Sequence, residues 1–478
     1  MVTPKFSNKL FNIGTSTPTE KLERLSPVNG LKIFETPLTG QSEVDMLFAN
    51  ISSQGSKFQD LGVVNAARIL ISACYKLRQR KDEINEAVFL ETGKPESLIE
   101  GEFETAINFM IGLAGLAQFR NGQVIPSINP RKIIYTRYQP YGTAALITSH
   151  NTPVPNYAWK LAPSFLSLNS SILKPSELTS LSAQRFVESF LDSSPPDFMV
   201  NLIHGGPHTV SSLLAKQPEL VSFTGSFQTG LTIKNLTKNY APKLILEMGG
   251  SNPIIVCKSA NLEMAAQAIV ESAFSNSGQR CASGRRLIMH SEIKSELLEN
   301  IRVASREFTV RESRSSFSGI LVDEKARLKH KDLIDNFQSS GAEVQFFATQ
   351  NNESDVEDVE AALVILPNES RFHMGDEIFS PILIAEEFSN IDDALVRAND
   401  SQFALTASIW TEEIDEVLYL SSYVKAGVVN INGPTHGAEF QIPFGGQKNS
   451  GNGAKEVGMN CLTEYSFEKV VSFTQNER

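Results

Sequence analysis

The sequence predicts an α/β protein: a parallel sheet covered by helices, a second α/β region, and an extended ribbon. Three observations carry this expectation. Short apolar runs at 143–148, 171–174, 199–203, 220–223 and 243–247 alternate with helix-like stretches. A second strand-and-helix series starts at Pro253-Ile254-Ile255-Val256 and runs to about Asn432. Between them in pattern, though earlier in the chain, Val124-Ile125-Pro126 and Ile133-Ile134-Tyr135 look extended with no helix separating them. Repeated strand–helix–strand units imply a parallel sheet covered on both faces.

The elements follow in order. From Val63 to Leu90, residues Ala66, Ile69, Leu70, Ala73, Leu77, Ile84 and Val88 recur at helical spacing. Glu91-Thr92-Gly93-Lys94-Pro95 ends that helix with a glycine and then a proline. A second helix is expected over 97–117. The ribbon at 120–141 is either an arm crossing to another subunit or an excursion within the monomer. Helices at 154–166, 179–191, 210–216 and 227–239 then separate the strands. The second region holds a helix at 262–274, the segment around Cys281 and a strand at 286–289. The acidic segment 351–361 reads as a solvated loop or helix.

With 478 residues the chain is too long for one ordinary core, so two or three domains are expected. An apolar fraction of 41% and a charged fraction of 20% fit a globular protein. A net charge of −11 argues against general binding to nucleic acid or anionic membranes. No run approaches a membrane span, and the first residues lack a secretory h-region. The four cysteines (Cys74, Cys257, Cys281, Cys461) are scattered without Cys-x-x-Cys, which fits a reducing cytoplasm. The histidines show no ligand spacing, so no metal is expected; His204 and His208 are separated by Gly-Gly-Pro and read as a loop.

Ligands of parallel sheets bind beyond the carboxyl ends of the strands. Asn151, Lys174, Thr224–Ser226 and Glu247 fall at such ends. Cys281 lies in Ser-Gly-Gln-Arg-Cys (277–281), and Glu247 opens Glu-Met-Gly-Gly (247–250). A thiol and a carboxylate so placed suit attack on a carbonyl followed by thioester hydrolysis. Taken alone, a cysteine is more often a small buried hydrophobe. No Gly-x-Gly-x-x-Gly occurs, and Gly451-Asn452-Gly453 lacks the third glycine. Phe223-Thr224-Gly225-Ser226 offers a strand-to-helix turn able to hold a pyrophosphate, or simply a serine N-cap. Lys174-Pro175-Ser176-Glu177 could hydrogen-bond ribose hydroxyls, or be a surface turn.

The order of these pieces carries more than any one of them. Asn151, Lys-Pro-Ser-Glu (174–177), Phe-Thr-Gly-Ser (223–226), Glu-Met-Gly-Gly (247–250), Gly-Gln-Arg-Cys (278–281), Glu-Ile-Phe-Ser-Pro (377–381) and Pro-Phe-Gly-Gly (443–446) follow one another. This resembles the NAD(P)-dependent aldehyde dehydrogenase superfamily over nearly the whole chain. The resemblance implies a Rossmann-like NAD-binding domain at 1–121 and 142–249. It also implies an α/β catalytic domain at 250–450 and a β oligomerisation arm at 122–141 and 462–478. A homodimer or homotetramer follows from such an arm.

The resemblance also assigns roles. Cys281 looks like the nucleophile and Glu247 like the base for the hydrolytic water. Asn151 looks like the oxyanion donor, and Lys160 and Glu456 like a proton relay behind Glu247. Lys174 and Glu177 look like adenosine-ribose contacts, Ser226 a pyrophosphate contact, and Glu377 and Phe379 nicotinamide-side contacts. Ser149, Ser176, Phe223, Gly225 and Gly230 complete the expected cofactor set. The implied reaction is oxidation of an aldehyde to a carboxylic acid through a Cys281 thioester. A free thiol has a pKa of about 8.5, so a positive or dipolar site is expected to favour the thiolate. Glu247 disfavours the coenzyme A-acylating branch, whose members generally lack it. A carboxylate at Glu177 favours NAD over NADP. The alternatives are other acyl chemistry on this fold and a non-catalytic binding protein.

Departures from the family pattern bear on the substrate. His150 stands for the usual tryptophan, Thr152 for phenylalanine, Ser251 for lysine and Ser380 for glycine. The usual Gly-Asp-Pro is missing from 311–320. His150, Thr152, Arg285, Thr435 and His436 form a polar set pointing to a small polar aldehyde, such as a semialdehyde bearing a carboxylate. Arg286 matches a common family arginine and reads as structural.

Overall fold

The computed structural model describes residues 20–475 apart from 55–56, 121, 307–318, 348–358, 368–376 and 438. Two sheets dominate. The first is wholly parallel, in the order Val200–Leu202, Ser170–Lys174, Thr143–Ile147, Leu220–Thr224, Lys243–Glu247. The chain moves outward in one direction from Thr143–Ile147 and then returns to its other side. A crevice therefore opens at the carboxyl ends of Thr143–Ile147 and Leu220–Thr224, where connections leave in opposite directions. All five residues of Ser170–Lys174 are buried, as expected for a strand covered on both faces.

The second sheet has seven strands. Their order is Glu343–Phe347, Ala361–Ile365, Ile382–Phe388, Gly284–His290, Asn252–Val256, Thr406–Trp410, Val428–Ile431. Only Glu343–Phe347 runs antiparallel to its neighbour. Each sheet has its own apolar core, and residues Ala454, Val457, Cys461, Leu462 and Tyr465 pack back onto the first. The ribbon at 120–141 is a β arm: Lys132–Pro140 lies between Val124–Ile125 and Ser466–Thr474. It pairs with Ser466–Thr474 in unbroken register from Ser466↔Pro140 to Thr474↔Lys132.

Most elements fall where the periodicity places them. The single helix expected from Val63 to Leu90 is instead two, Val63–Gln79 and Lys81–Thr92. Arg80 leaves helical geometry at φ −112°, ψ 19°, and its side chain bonds Glu83 at 3.0 Å and Glu188 at 3.2 Å. Both helices pack on the same two neighbours, Glu96–Ala117 and Ser180–Leu191, so apolar spacing continues across the break. The helix expected at 210–216 begins earlier, at Pro207, whose fixed φ suits a first turn, so His208 is helical. Of the acidic segment, 351–358 lies outside the described residues; Val359 is buried and Ala361 opens a strand. The loop at 311–318 also lies outside them.

Gly93 ends its helix in the left-handed region at φ 63°, with its N–H donating to the Phe89 carbonyl. A Cβ there would run into the Ile320 side chain. Gly93→Ala is expected to lower unfolding free energy by about 2–4 kcal/mol from left-handed strain and overpacking. A denaturant midpoint equal to wild type would contradict this.

Candidate active site

Cys281 follows a loop of unusual backbone. Helix Leu262–Phe274, capped by the Asn261 side chain, gives way to Asn276, Ser277 and Gly278 at φ 55°, 51° and 66°. Such conformations persist in non-glycine residues only when neighbours hold them. Here the Ser277 hydroxyl donates to the Gly319 carbonyl at 2.8 Å. The Gln279 amide donates to Ile320 O at 2.8 Å and accepts from Val322 N at 3.0 Å. Asn252 Nδ2 grips the Cys281 carbonyl at 2.8 Å.

Cys281 keeps partial exposure, whereas Cys74, Cys257 and Cys461 are buried. Desolvation nevertheless pushes its thiol up to about 12, and the nearby Glu377 and Glu247 carboxyls add to the effect. Of the positive or dipolar site expected to favour the thiolate, no positive charge acts on the sulfur. The dipolar part is present in the Ala282 and Cys281 N–H groups, which favour the thiolate but do not offset burial and the two carboxyls. The protein alone therefore holds a thiol, and its proton must leave to a base.

Glu247 closes its strand and is 3% exposed. No side chain among the described residues donates a hydrogen bond to either carboxyl oxygen, and the Gly446 N–H is the near backbone donor. Burial pushes it up to about 8, against Lys160, Lys455 and the Gly446 N–H, which favour the charged form. A buried carboxyl so tuned exchanges protons near neutral pH. Behind it, Lys160 forms a buried ion pair with Glu456, and burial lowers the lysine to about 7. The network extends further than the sequence reading. Lys160 Nζ donates to Ser222 Oγ at 3.1 Å, Tyr465 Oη to the same oxygen at 2.8 Å, and Thr224 Oγ1 to Glu456 at 3.1 Å. Ser222 had a legible signal, a polar residue inside the apolar run Leu220–Phe223.

Asn151 sits just past Thr143–Ile147. Its Oδ1 accepts from the Ser149 hydroxyl at 2.7 Å, which turns Nδ2 to the other side as the available donor. Its carbonyl accepts from the buried Lys94, itself paired with Glu102 at 2.6 Å, and from Asn276 Nδ2 at 3.5 Å. The Asn276 contact joins the Asn151 and Cys281 loops. Ser149 thus acts on Asn151, a role the cofactor assignment did not include. Lys94 was read only as part of a helix stop.

The expected cofactor residues lie along the carboxyl edge of the first sheet. Lys174 Nζ is 3.4 Å from Glu177 Oε2, with the lysine buried and lowered by that burial, and the glutamate partly exposed. A Cβ on Gly206 would come within 2.9 Å of Glu177 Oε1, so the glycine lets that carboxylate lie close. Ser176 caps the following turn, accepting from Leu178 N at 3.3 Å. Ser226 is the N-cap of Phe227–Thr237, accepting from Thr229 N at 3.3 Å. Gly225 donates its N–H to the Glu247 carbonyl at 3.1 Å, with Phe223 buried beneath. At Gly230 a Cβ would overlap Met248 Sδ. Glu377 is enclosed, accepts from Gly250 N at 3.2 Å and is pushed up to about 7 by burial. Phe379 holds φ 26° and meets the His150 ring edge-on at 5.8 Å. Burial lowers His150 to about 4, so it is neutral. A cation–carboxylate pair for a diol and a helix N-terminus for a pyrophosphate, on one sheet edge, fit a dinucleotide.

The polar substrate set fares differently. Arg285 is 1% exposed and donates to the carbonyls of Gly278 and Ser380, so it is a buried clamp rather than a free cation. Thr435 Oγ1 donates to Ala282 O at 2.6 Å, and Thr152 Oγ1 accepts from Asn156 Nδ2 at 2.6 Å. His436 Nε2 lies 3.7 Å from Glu271, with the ring lowered to about 4 by burial. These groups are spent largely within the protein. Arg286 binds the carbonyls of Arg397 and Ala398, both at 2.7 Å, which is structural as read.

Comparison with known proteins agrees with this geometry. The α-ketoglutaric semialdehyde dehydrogenase of Bacillus subtilis is 30% identical over 402 residues, 83% of this chain and 82% of that protein. The α-ketoglutarate semialdehyde dehydrogenase of Haloferax volcanii is 31% identical over 414 residues, 84% of this chain and 85% of that protein. The crystal structure of an NAD-dependent aldehyde dehydrogenase from Sinorhizobium meliloti superposes with a TM-score of 0.90 at 25% identity, covering 99% of this chain and 97% of that one. A sequence model described as the aldehyde dehydrogenase family matches residues 14–471, so the chain belongs to that family of NAD(P)-dependent enzymes that oxidise aldehydes.

Proposed function

We propose that Cys281 is the nucleophile, Glu247 the base and Asn151 the oxyanion donor of a hydrolytic aldehyde oxidation. The observation that carries this reading is the buried Glu247 carboxyl, held by no side-chain hydrogen bond and near enough to the Cys281 thiol to raise it. Glu247 takes the thiol proton, and the sulfur adds to the aldehyde carbon. Asn151 Nδ2 and the Cys281 backbone N–H stabilise the alkoxide, each such donor being worth about 10²-fold or more in rate. Lys174, Glu177, Ser226 and Glu377 would hold NAD, which would supply the hydride acceptor. The thioester left on Cys281 is then hydrolysed, with Glu247 taking a proton from water. Lys160, Glu456 and Thr224 lead each proton away from Glu247, the thiol proton before water is deprotonated and the water proton after it.

The Glu177 carboxylate beside Lys174 supports NAD over NADP, because it would repel a 2′-phosphate. The substrate reading is a small aldehyde bearing a carboxylate. Its support is the naming of both sequence relatives above as semialdehyde dehydrogenases. The side-chain polarity of the site does not add to it, since Arg285, Thr152 and Thr435 are already bonded within the protein. The arm exposes Ile133, Tyr135, Phe467 and Phe473 on one face, an apolar strip suited to a second copy of the chain. Four free cysteines fit a cytoplasmic enzyme. No described helix is long and apolar enough to cross a membrane.

The test is nucleotide reduction against aliphatic, aromatic and carboxylated aldehydes, with NAD and NADP in parallel. The expected outcome is an acid product, highest kcat/KM on a carboxylated aldehyde, and preference for NAD. A coenzyme A thioester as product, or no preference for the carboxylated members, would contradict the reading.

A further inference from the structure

Two strained turns face each other across one buried guanidinium. On one side, Gly278 ends the run of positive φ that precedes Cys281. On the other, Phe379, at φ 26°, precedes Ser380 in the segment that also carries Glu377. Arg285 donates through one terminal nitrogen to the Gly278 carbonyl and through the other to the Ser380 carbonyl at 2.6 Å. Ser380 O also accepts from Ile382 N at 2.7 Å. A Cβ on Gly278 would lie 2.7 Å from the guanidinium, so the glycine is what lets the clamp close. The second segment is tied from behind as well. Lys329 Nζ donates to the Glu377 carbonyl at 2.7 Å, and His330 Nδ1 shares a hydrogen bond with the Ser380 hydroxyl at 2.5 Å. The serine at 380 thereby has a purpose, anchoring the segment to helix Glu324–Ser339.

We infer that Arg285 is a positioning residue that fixes the Cys281 loop against the Glu377–Ser380 segment, setting the distance between the nucleophile and the nicotinamide side of the site. The inference rests on the reading of Cys281 as nucleophile. Its physical basis is geometric. A planar guanidinium presents several donors in a fixed fork, so it can hold two carbonyls at a set spacing. A lysine ammonium on a flexible stem cannot reproduce that fork. The reacting atoms tolerate little displacement, and about 1 Å of misplacement can cost about 10²-fold in rate.

The experiment compares wild type with Arg285→Lys and Arg285→Met. Steady-state turnover is measured on a carboxylated and an uncharged aldehyde, well below each variant's melting temperature. The rate of Cys281 alkylation by iodoacetamide is measured on cofactor-free protein. The expected result for Arg285→Met is a kcat about 10²-fold lower on both aldehydes with little change in either KM. Arg285→Lys, which keeps the charge should the methionine variant not fold, is expected to show a smaller loss of the same kind. Alkylation is expected about tenfold faster in both variants, because the released loop opens locally around the enclosed sulfur. Unchanged kcat and unchanged alkylation, with only a lower melting temperature, would overturn the inference and leave a purely structural arginine. A rise in KM confined to the carboxylated aldehyde would overturn it in favour of a substrate contact. Alkylation of wild type at Cys281 must also abolish turnover. If turnover survives, the nucleophile assignment itself fails and the inference falls with it.

Discussion

Cys281→Ala is expected to reduce NAD-dependent aldehyde oxidation by about 10⁴-fold or more, the scale on which enzymes lose rate when their nucleophile is removed. The methyl group of alanine cannot add to a carbonyl, so neither covalent intermediate forms. The other three cysteines cannot substitute, because each is buried. The substitution leaves the surrounding loop intact, since the Cys281 carbonyl, rather than its sulfur, is what Asn252 holds. Nucleotide binding and the melting temperature should therefore stay near wild type while absorbance from reduced nucleotide disappears. Residual turnover within tenfold of wild type would sink the proposed mechanism.

Glu247→Gln is expected to separate the two halves of the reaction. Without a base for the hydrolytic water, thioester breakdown should slow by about 10²–10⁴-fold. At alkaline pH, where hydroxide takes the thiol proton in place of Glu247, one equivalent of reduced nucleotide should appear as a burst before a slow steady state. Mass spectrometry of the quenched enzyme should then find an acyl adduct on Cys281. Glu247 also sets a pH dependence. Its carboxyl is raised to about 8, and the base form is the deprotonated one. Wild-type turnover should rise with pH to a plateau beyond about 8, and this limb should vanish in the glutamine variant. The stability sign runs the other way. A carboxyl raised on folding holds its proton more tightly in the native state, so its contribution is full below the ordinary carboxylate range and is lost as pH rises through the raised value. Glutamine carries no such loss, and the variant should be at least as stable as wild type near neutrality. A variant with normal deacylation would refute the role given to Glu247.

Much of this site was legible because it lies at the ends of elements with clear periodicity. Strand Lys243–Glu247 and helix Leu262–Phe274 stand where the pattern places them, and they deliver Glu247 and the Cys281 loop. Lys174, Glu177 and Ser226 likewise sit where strands turn into helical segments. Arg285 was not legible in the same way. A charged residue next to a nucleophile reads as a substrate contact, but its partners are main-chain carbonyls, and no side-chain pattern records those. Thr435 likewise bonds a main-chain carbonyl, and Thr152 bonds the Asn156 side chain four residues on.

The sequence by itself determined the α/β class and the family, and it singled out the thiol, carboxylate and amide proposed as nucleophile, base and oxyanion donor. Period, turn residues and motif order are local properties, readable along one chain. Tertiary structure alone decided the surroundings of the Cys281 thiol, the burial of the Glu247 carboxyl, and the destination of each polar side chain. Those depend on burial and on partners far away in sequence. Glu456 meets Lys160 across 296 residues, and Arg285 reaches Ser380 across 95. Desolvation and such pairings exist only once the two sheets and their loops have closed around the site.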